Sequence, residues 1–135
     1  MGRKRHLCID TLGLMHRLVV HAADVQDRDG AKLVLEPLIG EQTRLARIWA
    51  DGGYAGDLVT WVATEAGWTL EIVKRPAEAK GWVTRPKRWI VERTFAWLGK
   101  CRRLSKDYEP LVASSEAMIR LAMIGLMLRR LCPAS

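Results

Sequence analysis

Between Arg85 and Arg103 the chain carries seven basic residues and a single acid, Glu92. A carboxylate in so basic a segment is either quenched as a salt bridge or used to hold a metal beside phosphates. A second carboxylate, Asp51, ends the apolar run Leu45–Ala50, which reads as a buried strand, and Gly52 and Gly53 follow it. Glycines lack side chains, so a phosphate or a metal can approach the backbone there. Asp-Gly is also one of the commonest turn signals, and the residues alone leave both readings open. Two carboxylates, a basic helix and no paired cysteine or histidine spacing point to metal-dependent phosphodiester chemistry on nucleic acid.

The elements must position those groups. At about 100° per residue, Ile90, Thr94, Trp97, Cys101 and Leu104 fall on one stripe, a credible core face. Glu92 then lies on the opposite side, near the line of Arg88 and Arg103. One reading is an ion pair between Glu92 and Arg88, one helical turn apart, worth a few tenths of a kcal/mol. The other is a metal carboxylate flanked by arginines, whose forked donors suit phosphate oxygens.

Charge says where a polyanion would bind. The chain has 135 residues, a net charge of +7 and a sequence pI near 9.8, which favours DNA or RNA as partner. Residues 74–106 hold eleven Lys and Arg against Glu78 and Glu92, a balance of +9 that leaves −2 for the rest. The basic character is thus localised to one segment. Hydrophobic residues make up 49%, enough for a folded single domain. Cys8, Cys101 and Cys132 have no paired spacing, as expected of reduced cytosolic thiols, with Cys8 and Cys101 as core filler. No signal peptide is read at the N-terminus, and the apolar run Leu121–Leu128 is too short to cross a bilayer. A cytoplasmic protein without a membrane partner is expected.

The order of elements is expected to be β-β-α-β-α-β-α-α. Strands His6–Asp10 and Leu14–Ala22 form a hairpin about Thr11-Leu-Gly13. A helix over Ala31–Ile39, the strand Leu45–Ala50, a helix over Leu58–Ala66 and the strand Leu70–Val73 follow. A connector at 76–81 leads to a helix opening at Pro86, and Ser114 or Ser115 caps a last helix reaching Leu131. Such alternation predicts an α/β fold with helices on the faces of a sheet.

Several words of the chain resemble insertion-sequence transposases of the DDE type, specifically the insertion sequence 5 group. They are Trp49-Ala-Asp51-Gly-Gly-Tyr54 and Arg88-Trp-Ile-Val-Glu92-Arg-Thr-Phe-Ala-Trp97. The resemblance extends to the words at Gly2–Gly13, His21–Asp27 and Cys101–Glu109, so it covers nearly the whole chain. It implies a ribonuclease H-like fold, a mixed sheet whose acids Asp, Asp and Glu bind metal. Asp51 matches the family's second Asp, Glu92 its Glu, and Arg88 the arginine four residues before that Glu. The family's lysine seven residues after the Glu is Gly99 here, with Lys100 one place later.

The first Asp of the family lies on a strand upstream of the Gly2-Arg-Lys-Arg-His6 word. Asp10 is available on the hairpin but matches a different position, where Asp is usually a turn residue. The chain is therefore expected to be the C-terminal part of the catalytic domain, lacking the first strand and inactive alone. The resemblance implies Mg²⁺ or Mn²⁺ in a two-metal displacement. It also implies insertion-sequence ends and target DNA as partners, with Arg88, Lys100 and Arg103 on the DNA, and a homo-oligomer or a full-length transposase as a protein partner. The alternative is a non-catalytic DNA-binding or interfering fragment.

Overall fold

The computed structural model describes residues 2–73, 88–104 and 110–132. The expected connector at 76–81 and the expected helix start at Pro86 lie outside them. The chain forms two compact units, one of residues 1–24 with 90–135 and one of residues 25–89.

In the first unit β1 (Arg3–Ile9) and β2 (Met15–Ala22) pair antiparallel, Leu7 opposite Leu18, with a bulge between Cys8 and Ile9. The connection turns on Asp10, whose Oδ1 accepts from the N–H groups of Leu12 (2.8 Å) and Leu14 (3.0 Å). Asp10 is thus a turn residue, its carboxylate engaged by local backbone. Leu18 and Val20 of β2 form a core with Leu98 of α3 (Arg88–Gly99), Leu104, and Ile119 and Met123 of α4 (Val112–Leu131). Cys101 packs against this core, as a filler should. Cys8, beside Leu7 on β1, is half-buried, and burial, with the charge of Asp10, pushes its thiol up to about 11. It stays a protonated thiol at neutral pH rather than a nucleophile.

One carboxylate joins α4 to the sheet. The N–H of Val20 donates to Glu116 Oε1 at 2.9 Å, while Arg120, one turn on, holds Oε2 at 3.4 Å. Glu116→Ala leaves that amide without its partner and is expected to cost about 1–3 kcal/mol. Urea unfolding measures it; a loss below about 0.5 kcal/mol would show that water replaces the carboxylate freely.

In the second unit α1 (Asp27–Leu35) runs into a 3-10 turn at Glu36–Leu38. β3 (Arg47–Ala50) and β4 (Thr69–Ile72) pair in parallel, Ile48 opposite Leu70, with α2 (Asp57–Ala66) as the crossover. Gly67 ends α2 in the left-handed region, φ 70°, where glycine carries no Cβ penalty. Leu58, Val62, Trp68 and Leu70 are buried, as are Ala31, Val34, Leu35 and Leu38.

The structure departs from the sequence reading at several places, among them the starts of β1 at Arg3 rather than His6 and of β3 at Arg47 rather than Leu45. α1 begins at Asp27 rather than Ala31, because Asp27 and Asp29 favour the positive N-terminal end of a helix. It stops before Ile39, because Pro37 has no N–H to continue the α-helical ladder. α4 starts at Val112, and Ser115 is buried within it rather than capping it. Among the described residues the strands pair as two two-stranded sheets, β1-β2 and β3-β4, where one mixed sheet was expected. For the same reason β3 is not the buried strand expected: with a single neighbour, Ile48 and Ala50 are only half-buried and Trp49 is exposed.

Candidate active site

Asp51 follows β3 directly and caps a 3-10 turn, Gly52–Tyr54, its Oδ1 accepting from the N–H of Gly53 at 3.0 Å. The two readings of Asp-Gly are therefore compatible, since one oxygen makes the turn and the side chain stays exposed. Gly53 matters for a reason the sequence did not suggest. A Cβ placed there would lie 3.0 Å from Asp27 Oδ2 and 3.2 Å from Asp51 Oδ1. The glycine thus makes room for two carboxylates, which can be no further apart than those two distances together. Gly52, by contrast, faces open space.

Tyr54 registers the same crowding. Burial first, and then the charges of Asp27 and Asp51, push its hydroxyl up to about 12. It remains a protonated phenol at neutral pH. Asp27 sits in the first turn of α1, and the earlier start of that helix brings it to this turn. Sequence reading had Asp27 only as the last letter of a family word, without a role. Its position in an acidic run ahead of an apolar helical pattern was the available signal.

Glu92 lies in α3, on an exposed face, as the helical stripe predicted. Ile90, Thr94, Leu98 and Leu104 are buried, whereas Trp97 and Cys101 are half-buried. The helix is held against the β1-β2 turn by three groups. Thr94 Oγ1 donates to the carbonyl of Gly13 at 2.8 Å, and Arg93 and Arg130 donate to that of Leu12 at 3.0 and 3.2 Å. Both guanidinium groups lie over Trp97, at 4.7 and 4.6 Å from its ring centre. These two cations explain why Trp97 stays at the edge of the core, for a ring face attracts cations more than an aliphatic neighbour does.

Asp51 and Glu92 fall in different units of the molecule. Among the described residues no group of three or more His, Cys, Asp or Glu converges on one point. Lys100 is exposed beyond the end of α3, and the side chains of Arg88 and Arg103 lie outside the described residues. Among the described residues no helix is long and apolar enough to cross a membrane.

Residues 1–127 match the family model of the transposase DDE domain, and the chain belongs to that family. Neither a curated protein nor a solved structure gives a significant match. Membership ties the chain to DNA transposition, and thus to DNA as a partner and to a family that uses divalent metals.

Proposed function

We propose that this chain is the C-terminal part of the catalytic domain of an insertion-sequence transposase, of the insertion sequence 5 group. Asp51 and Glu92 serve metal-dependent cleavage and strand transfer at insertion-sequence ends. The observation that carries this reading is the family match across both units. The setting of Asp51 supports it: an exposed carboxylate at a strand end, with one oxygen fixed by Gly53 and a second acid, Asp27, beside it. Such oxygens suit Mg²⁺ or Mn²⁺, which accept carboxylate and share their shell with water and phosphate. The ion supplies Lewis-acid stabilisation of charge developing on phosphate oxygens. Asp51 and Glu92 are the carboxylates that would hold such ions, and Arg88, Lys100 and Arg103 would neutralise the DNA backbone.

A ribonuclease H-like sheet needs one more strand than the pairs β1-β2 and β3-β4 provide. Among the described residues each strand pairs with one other, and a sheet edge not already met, as β2 is by Glu116, is a place for another strand to add. We propose that a strand from an upstream segment or a partner subunit completes the sheet and brings the remaining acid. The second reading, a non-catalytic or interfering fragment, draws on the lack of three converging acids among the described residues.

Binding to duplex DNA tests the interface. The logarithm of the affinity should fall steeply and linearly with that of salt concentration, because neutralised phosphates release counterions. Arg88→Ala or Arg103→Ala should each lower the slope by about one, for any base sequence. Fluorescence anisotropy against salt measures both. An affinity that hardly changes with salt would rule out residues 85–103 as a backbone-binding surface.

A further inference from the structure

The turn after β3 and the first turn of α1 lie in the same unit and meet at Gly53. Gly53 is not among the glycines of positive φ, so its backbone conformation is open to any residue. The space beside it is not. An added Cβ would stand 3.0 Å from Asp27 Oδ2 and 3.2 Å from Asp51 Oδ1. The glycine therefore keeps open a gap lined by two carboxylate oxygens, and the Tyr54 hydroxyl feels both charges. Like charges so close repel, and a cation set between them converts repulsion into attraction. The basic neighbour in the chain does not supply that cation. Arg28 Nη2 donates to Gln26 Oε1 at 3.4 Å, and its Nη1 lies against Gly56, 2.9 Å from where a Cβ there would stand.

We propose that Asp27 is a further metal carboxylate of this site, sharing one divalent ion with Asp51 across the gap that Gly53 leaves. The proposal rests on the reading of Asp51 as a metal-binding residue and adds an acid from another element. Mg²⁺ and Mn²⁺ suit such a pair, since one or two carboxylates hold the ion while water and phosphate complete its shell. No third converging acid is needed for that, and none is found among the described residues. Each partner is oriented by its own element. The turn fixes Asp51, whose Oδ1 accepts from Gly53 N–H at 3.0 Å, and the first turn of α1 carries Asp27. The positive end of α1 opposes a cation by roughly half a charge, less than the two full negative charges of the pair. The second unit then takes up an ion by itself, weakly, without Glu92.

Titration of the full chain with Mn²⁺, followed by loss of the free ion's paramagnetic resonance signal, tests this. The native chain should bind an ion with a dissociation constant of about 0.1–1 mM, the range of weak, open carboxylate sites. Asp27→Asn and Asp51→Asn should each weaken binding at least about tenfold. Asp29→Asn is the control: it takes the same charge from the same turn of α1, at an exposed position about 200° around the helix. It should change the affinity less than about twofold. Asp27→Ser should match Asp27→Asn, and melting temperatures like that of Asp29→Asn show that α1 is intact. Native-like binding in both Asp27 variants, with loss in Asp51→Asn, would overturn the role of Asp27 and leave that of Asp51 standing. Native-like binding in all of them would take the ion from this turn, and the reading of Asp51 with it. Equal weakening in Asp29→Asn would also overturn the proposal, since overall charge and not position would be read. So would a native chain that takes up no Mn²⁺ at about 10 mM, well above the expected range.

Discussion

Asp51→Asn is expected to lower Mg²⁺-dependent strand cleavage by at least about a thousandfold while leaving the melting temperature nearly unchanged. Asn retains the size of the side chain and an oxygen able to accept from Gly53 N–H, so the turn after β3 survives. What it removes is the negative charge that a divalent ion needs. The measurement is nicking of insertion-end DNA, with the chain supplied together with the segment that completes the sheet. Asp10→Asn is the matched control, since Asp10 serves the hairpin turn through Leu12 and Leu14. Equal losses at both positions would mean that charge in general is being read. Full activity in Asp51→Asn would remove this residue from the chemistry. Cleavage by the 135-residue chain alone would instead show that the third acid lies within it.

The largest effect on stability is expected from Gly13→Ala, a loss of about 3 kcal/mol. Gly13 has φ 81°, in the left-handed region, which costs an L side chain about 1–2 kcal/mol. An added Cβ would also stand 2.8 Å from Thr94 Oγ1 and 3.1 Å from the Trp97 ring. Thr94 cannot withdraw without losing its bond to the Gly13 carbonyl, and the Trp97 ring is held by its contacts with the Arg93 and Arg130 guanidinium groups. Gly40→Ala separates the two contributions. Its φ is 87°, but no atom lies within 4 Å of the added carbon, so only the backbone cost applies. Denaturant unfolding of both variants measures the difference. If Gly13→Ala costs no more than Gly40→Ala, the turn is not clamped to α3 as described. Because α3 carries Glu92, the same clamp sets where that carboxylate stands.

Much of this was legible in the chain itself because it depends on local physics. Asp51 at the end of a strand, the hairpin with Asp10 at its turn, and the glycine stop at Gly67 follow from short-range propensity and turn chemistry. The outward face of Glu92 follows from helical periodicity, with Ile90 and Thr94 buried on the other side. Tertiary structure decided the rest. Asp27 meets Asp51 only because α1 starts where its acids meet the helix dipole and then packs beside the turn at Gly53. The burial of Ser115 inside α4, where a cap was expected, reflects a packed face that outweighs an N-terminal hydrogen bond. The grouping of four strands into two pairs was equally out of reach of sequence pattern. Period and propensity show that a segment is extended, but strand partners are chosen by hydrogen bonds and side-chain contacts between residues far apart in the chain.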